Sequence, residues 1–154
     1  MKSELYKGRE QARFKHELLE AYLERLFMIV GQHQRTICYV DCFAGPWQAK
    51  GEDLQDTSIA VSLNIIQKCR EGLLKFNHNV HFKALFVEKD PTAYAKLKDY
   101  LDGRDDEGVE THPLHGEFIQ LREEILSRCG DDSFTFFFVD PTGWKDAVEL
   151  ATLD

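Results

Sequence analysis

The sequence predicts an α/β fold in which a parallel sheet carries helices on both faces. Short apolar runs typical of buried strands alternate along the chain with segments of helical periodicity, at the spacing of β-α units. Three of the four apolar runs end in an acidic residue. Ligands of open parallel sheets bind just past the carboxyl ends of the strands, so these acids mark a candidate site.

Composition limits the class of protein. The chain has 154 residues, of which 43% are hydrophobic, so one domain with a real core is expected over 1–154. No apolar run approaches the roughly 20 residues that span a bilayer, and the polar N-terminus is unlike a signal peptide, so we expect a cytoplasmic protein without a membrane segment. The net charge of −8 argues against a broad basic surface for a phosphate backbone.

An N-terminal helical segment is expected over 1–31, followed by β-α repeats over 36–154. Residues 9–30 have the periodicity of an amphipathic helix, and Gly31 is a plausible stop. The apolar stripe expected to pack inward consists of Phe14, Leu18, Tyr22, Leu26 and Ile29.

The first predicted strand ends at Asp41 and is followed by a turn at Gly45-Pro46. Its apolar run contains no charge before Asp41, which is typical of a strand buried on both faces. Ala44 and Gly45 are small enough to let a ligand approach the backbone. An ordinary strand and turn would explain this stretch equally well on its own.

The four cysteines include no C-x-x-C pair, so the sequence does not indicate a metal site. We expect all four to be reduced in the cytoplasm. Cys38 and Cys42 fall on one face of the first strand, where core packing is the favoured interpretation.

The next helix is expected to be capped by Asp56 or Thr57 and to end near Arg70, with Gly72 as its terminator. A second strand covers 80–88 and ends at Glu88. The inward residues of the helix before this strand are expected to be Ile59, Leu63, Ile66 and Cys69.

Asp90 then caps a helix that starts at Pro91 and runs to about Leu101, because an aspartate cap followed by proline is a typical start signal. The residues of this helix expected to face inward are Tyr94, Leu97 and Leu101.

The third strand, 109–115, contains Pro113 and is therefore expected at a sheet edge. A helix follows to about Cys129, then a fourth strand over 134–139 and a further helix from about Lys145. The apolar stripe expected for the helix before Cys129 consists of Phe118, Leu121, Ile125 and Leu126.

Carboxylates are expected to gather at one edge of the sheet. Asp41, Glu88 and Asp140 end strands one, two and four, and Glu117 follows strand three. A carboxylate at the end of the second strand can accept both hydroxyls of a ribose. Because no G-x-G-x-x-G cradle for a pyrophosphate is present, a nucleoside ligand without phosphates fits better than a nicotinamide dinucleotide.

Several of these segments carry a resemblance to known families. The Asp41–Pro46 stretch resembles the first motif of class I S-adenosylmethionine-dependent methyltransferases, and Asp140-Pro141-Thr142-Gly143-Trp144 lies where enzymes that methylate amino groups of nucleic acid carry D-P-P-Y. More narrowly, the chain resembles the three-Cys-motif partner proteins (TcmP). Four segments in order support this: 14–23, 41–46, 86–90 and 137–144.

The resemblance implies a Rossmann-like class I methyltransferase sheet, a three-layer αβα arrangement with parallel strands one to four only, preceded by an N-terminal helix. Further strands are then expected after Asp154. The implied cofactor is S-adenosyl-L-methionine, without a metal. Cofactor-binding roles are implied for Asp41, Phe43, Ala44, Gly45, Glu88 and Glu117, and catalytic roles for Asp140, Pro141 and Trp144.

The implied methyl acceptor is an amino group of a nucleic acid, and the implied protein partner is a Cys-motif protein. Two departures from the family pattern favour an alternative, a catalytically silent partner module that keeps the fold. Trp47 replaces the second glycine of the first motif, and Thr142-Gly143-Trp144 replaces the usual Pro-Tyr.

Overall fold

The computed structural model describes residues 17–42 and 58–139. In this part of the chain helices and strands alternate, as the sequence predicts. Residues 17–30 form α1. The elements that follow are β1 (Thr36–Asp41), α2 (Ser58–Lys75), β2 (His81–Glu88), α3 (Pro91–Asp102), β3 (Val109–His115), α4 (Arg122–Cys129) and β4 (Phe134–Phe138).

The strands within the described ranges form one four-stranded sheet in the order β3-β2-β1-β4, and every pair is parallel. The prediction of a parallel α/β sheet is therefore confirmed. β3 lies at an edge, as Pro113 predicts, because proline has no backbone N–H to donate to a neighbouring strand. β1 is central, and its residues from Ile37 to Asp41 are buried.

Helices cover both faces of the sheet, which gives three layers. α1, α2 and α3 supply the larger core on one face, around Tyr39 and Phe82. α4 packs on the other face, where Ile125 and Cys129 meet Cys38, Val40 and Leu85. This arrangement confirms the predicted helix-sheet-helix layering and is consistent with a Rossmann-like fold.

The face that α1 turns to the sheet differs from the predicted stripe. Leu18, Tyr22 and Ile29 are exposed, whereas the buried side chains of α1 are those of Leu19, Leu23 and Phe27. Leu26 is only partly buried, and Phe14 lies outside the described residues. The predicted stripe was wrong by one residue, because apolar side chains occupy both positions 18, 22 and 26 and positions 19, 23 and 27, and only packing on the sheet decides between the two sets.

The predicted end of α2 was also wrong. The helix continues past Arg70 and Gly72 to Lys75 and ends in a Schellman motif. Asn77 has a positive φ of 66°, and the His78 amide donates to the Leu73 carbonyl at 2.9 Å. Gly72 instead marks a close approach to α1, because an added Cβ would lie 3.3 Å from the Met28 methyl.

Gly31 lies where the C-terminus of α1 meets α2, and we expect Gly31→Ala to lower the free energy of unfolding by about 1–3 kcal/mol through overpacking. An added Cβ would collide with the Leu73 side chain and lie 2.8 Å from the Phe27 carbonyl oxygen. Gly103→Ala is the matched control, because its Cβ would meet Asp99 O at an ordinary 3.5 Å. Urea denaturation of both variants checks this, and equal stabilities would contradict the close approach of α1 and α2.

The beginning of α3 agrees with the prediction. Asp90 caps the helix by accepting a hydrogen bond from the Ala93 amide at 2.8 Å, and Pro91 occupies the first turn. Leu97 and Leu101 are buried, whereas Tyr94 is only half-buried.

α4 presents a narrower apolar face than the sequence predicts. Ile125 is buried, and Phe118 and Leu121 are partly buried against the same core, but Leu126 is 51% exposed. One helical turn separates Ile125 from Cys129, so the buried face follows this spacing of four residues and Leu126 points away from it.

Two of the four cysteines are joined, which corrects the expectation that all are reduced. Cys38 on β1 forms a disulfide with Cys129, the last residue of α4, with Cα atoms 5.6 Å apart. That separation lies in the normal range for a disulfide. Cys42 and Cys69 are free and buried, so the core-packing interpretation holds for Cys42.

Candidate functional site

The carboxyl ends of β1, β2 and β3 meet at one edge of the sheet, because all three strands run in parallel. The register pairs Asp41 with Phe86 and Glu88 with His115. Asp41 and Glu88 therefore end neighbouring strands, and the turn that carries Glu117 follows β3. We call this region the carboxyl edge, defined by Asp41, Glu88, His115, Gly116 and Glu117.

Asp41 is fully buried, which is unusual for an ionisable side chain. It shares the α1-α2 side of β1 with Tyr39, and its charge acts on its neighbours. Burial, reinforced by the Asp41 carboxylate, raises the pKa of the Tyr39 hydroxyl well above its ordinary value, while Ser62 acts in the opposite direction. Burial and Asp41 likewise raise the pKa of the Cys42 thiol, so Cys42 is a neutral thiol and a poor nucleophile.

Glu88 is 4% exposed and is anchored by backbone groups on both sides. Its Oε1 accepts a hydrogen bond from the Asp90 amide at 2.9 Å, and its carbonyl oxygen accepts one from the Gly116 amide at 3.0 Å. Burial raises the pKa of the Glu88 carboxyl, the Asp90 charge adds to this, and the amides of Asp90 and Lys89 oppose it. A carboxylate has about four lone-pair sites, so Glu88 keeps capacity for further donors.

The turn after β3 requires glycine at position 116. Gly116 has a φ of 148°, and an added Cβ would lie 3.1 Å from a methyl group of Leu121. The Leu121 amide donates to the Glu117 carbonyl at 3.0 Å, which leads the chain into α4. The Glu117 side chain is exposed, so it differs from the buried Asp41 and Glu88.

An aromatic pair beside Glu88 was missed by the sequence analysis. The rings of Tyr94 and His115 stack with centroids 4.9 Å apart and planes inclined by 23°. His115 is the last residue of β3, next to Glu88 in the register, and Tyr94 lies in the first turns of α3. The signal was available, since His115 ends a strand in the same way as Asp41 and Glu88 do.

No protein-family model matches the sequence, and comparisons with curated proteins and with solved structures found no similar protein.

Six of the predicted site residues lie outside the described residues: Phe43, Ala44, Gly45, Asp140, Pro141 and Trp144. Of the remaining three, Asp41 and Glu88 end neighbouring strands, and Glu117 follows the end of β3, the next strand in the sheet. The structure thus places the described candidates at one sheet edge, as expected for strand ends of a parallel sheet.

The described residues contain neither a cluster of metal ligands nor a membrane-spanning helix. Over 17–42 and 58–139, no three His, Cys, Asp or Glu side chains are grouped so that they could hold a metal ion. None of the helices in these ranges combines the length and hydropathy that crossing a membrane requires.

Proposed function

We propose that this chain is the cofactor-binding part of a class I methyltransferase-like domain that takes S-adenosylmethionine and methylates an amino group of a nucleic acid. The observation that carries the proposal is the pair of buried carboxylates, Asp41 and Glu88, at the ends of adjacent parallel strands. Burying two acids costs free energy unless partners compensate, and such groups cluster at functional sites.

Glu88 suits the ribose of this cofactor. Its backbone hydrogen bonds fix the carboxylate and leave capacity for hydroxyl donors, which is the role of the acid after the second strand in dinucleotide folds. The Tyr94-His115 pair adds an aromatic surface beside it, where a nucleoside base can stack. Asp41 would then lie nearer the methionine end, and the exposed Glu117 nearer the adenine.

The cofactor supplies an electrophilic methyl group when bound, and the chain's own residues supply positioning. Asp140 and Pro141 would present acceptors that orient the substrate amine, and Trp144 would stack on a flat base. These three roles rest on the sequence resemblance.

Calorimetric titration with S-adenosylhomocysteine tests the proposal, with NAD as the control ligand. We expect saturable binding of S-adenosylhomocysteine and none of NAD, because the pyrophosphate cradle is absent from the sequence. Circular dichroism of the same sample establishes that the chain is folded. Absence of binding by the folded chain would contradict the cofactor assignment, and binding of NAD alone would favour a dinucleotide domain.

A catalytically silent partner module is the second candidate, because Trp47 and Trp144 occupy positions where the methyltransferase pattern has other residues. This candidate predicts that the protein keeps its fold but transfers no methyl group. A methylation assay on RNA and DNA with radiolabelled cofactor distinguishes the two candidates, provided that S-adenosylhomocysteine binds.

A further inference from the structure

We propose that the Cys38-Cys129 disulfide is a reversible redox lock that fastens α4 to the sheet and so controls the order of the turn carrying Glu117. The two cysteines come from distant parts of the sequence, 91 residues apart, and meet because the crossover brings the end of α4 over the middle of β1. Within the described ranges this disulfide is the one covalent link between α4 and the sheet besides the main chain.

The disulfide secures one of the two buried side chains of α4. Only Ile125 and Cys129 are buried among the eight residues of this helix. Two polar contacts also hold its C-terminal end: Lys83 Nζ donates to the Arg128 carbonyl at 2.9 Å, and Arg128 Nη1 lies 3.2 Å from His112 Nδ1. When the disulfide is reduced, α4 keeps the buried Ile125 side chain and these two polar contacts, so the helix is expected to loosen rather than to detach.

Loosening of α4 would also affect the carboxyl edge, because the two are joined by a short stretch of main chain. The turn of residues 116–121 leads directly into α4, and its first amide, that of Gly116, donates to the carbonyl of Glu88. Leu121 packs against the same core as Cys129, so the turn and the helix share their anchoring. The effect on α4 follows from these contacts alone, whereas an effect on ligand affinity rests on the proposed function.

The expected compartment and the chemistry of thiol exchange both favour a reversible bond. The sequence predicts a cytoplasmic protein, and disulfides in that compartment are usually transient and redox-sensing. Cys38 is 0% and Cys129 2% exposed, so low-molecular-weight thiols reach the bond when α4 opens transiently from the sheet. One thiol then attacks a sulfur to form a mixed disulfide and release the first cysteine, and a second thiol attacks the mixed disulfide and releases the other cysteine. Two electrons pass to the cysteines, each sulfur gains a proton, and the donors leave as one disulfide. Glutathione disulfide performs the reverse reaction.

Counting thiols in the full chain gives the first test. After treatment with glutathione disulfide and removal of the reagent, the denatured protein is expected to react with maleimide at two cysteines, Cys42 and Cys69, and after reduction at all four. Peptide mapping should link Cys38 to Cys129. Cys69→Ala is the control, because it removes a buried thiol on the other face of the sheet and should leave the link intact. Four reactive thiols after oxidation would overturn the proposal.

Hydrogen exchange gives the second test and does not depend on any ligand. Reduction of the wild-type protein is expected to speed amide exchange in α4 and in residues 116–121 by at least about tenfold, while β1 and α2 change little. Cys129→Ser should exchange like the reduced protein in both redox states, and the reduced wild type serves if this variant fails to fold. Unchanged exchange in α4 on reduction would overturn the proposal.

The affinity for S-adenosylhomocysteine separates this inference from the proposed function. With the proposed function correct, reduction weakens binding by several-fold because the Glu117 turn is less ordered. If neither redox state binds while α4 exchange responds to reduction, the cofactor assignment fails and the redox lock stands.

Discussion

Leu23→Ala is expected to lower the free energy of unfolding by about 2–5 kcal/mol, whereas Leu18→Ala in the same helix should change it by no more than about 0.5 kcal/mol. Leu23 is 0% exposed and belongs to the core beneath α1, while Leu18 is 60% exposed. Both substitutions remove the same atoms and place alanine within the same helix, so helix propensity cancels in the comparison. The difference isolates the burial of one side chain against the sheet.

The core around Leu23 explains why the cost is large. Its neighbour on the same face, Phe27, lies edge-on to Phe82 with ring centroids 5.6 Å apart and to Tyr39 at 6.4 Å. Such an aromatic cluster collapses poorly into a cavity, and an uncollapsed cavity adds to the lost transfer free energy. Urea denaturation at constant m-value measures both variants. Equal losses, or a larger loss for Leu18→Ala, would restore the stripe of Leu18, Tyr22 and Ile29.

This pair of variants also shows where sequence reasoning stops. In α1 the positions 18, 19, 22, 23, 26, 27 and 29 are all apolar, so two overlapping stripes satisfy helical spacing. The period identifies the helix but not its rotation about its own axis. Packing on the sheet sets that rotation, because Phe27 packs against the rings of Tyr39 and Phe82.

Strands were predicted more accurately than helix ends because their boundaries carry local signals. β2 and β3 follow the predicted ranges closely, since charges, glycine and proline mark where each apolar run stops. The end of α2 carried no such clear local signal. Gly72 allows the close approach of α1 and does not end the helix, whereas Asn77 is the residue with left-handed backbone at the helix end. The Cys38-Cys129 pairing was beyond sequence reasoning, since thiols 91 residues apart meet only through tertiary structure.

The carboxyl edge was predictable in outline but not in its electrostatics. Parallel strands that end in acids must bring those acids to one edge, so Asp41 and Glu88 end neighbouring strands, with Glu88 two residues beyond the register partner of Asp41. Asp41 and Glu88 are buried whereas Glu117 is exposed, and this difference depends on how α1, α2 and α3 cover the sheet. Glu88 is therefore the sharpest residue on which to test the proposed function.

Glu88→Ala is expected to weaken S-adenosylhomocysteine binding by about ten- to a hundredfold, because hydrogen bonds to a charged group contribute about 1.5–3 kcal/mol. Glu88→Gln keeps the shape and an acceptor for the Asp90 amide but removes the charge, so it should bind weakly while folding normally. Glu110→Gln is the matched control, since it removes an exposed carboxylate that pairs with His112 away from the carboxyl edge. Isothermal titration of the three variants measures the effect.

The raised pKa of Glu88 adds a signature that a merely structural residue would not produce. In the proposed ribose site the hydroxyls would donate to the ionised carboxylate, so the wild-type affinity for S-adenosylhomocysteine should fall as the pH is lowered through the pKa of Glu88, which burial raises above its ordinary value. Glu88→Gln should show no such fall. The stability of the unliganded protein should behave in the opposite way: a buried carboxylate with a raised pKa destabilises the fold as the pH rises through that pKa. A wild-type affinity that does not change with pH, or Glu88→Ala binding as tightly as Glu110→Gln, would remove Glu88 from the ribose site.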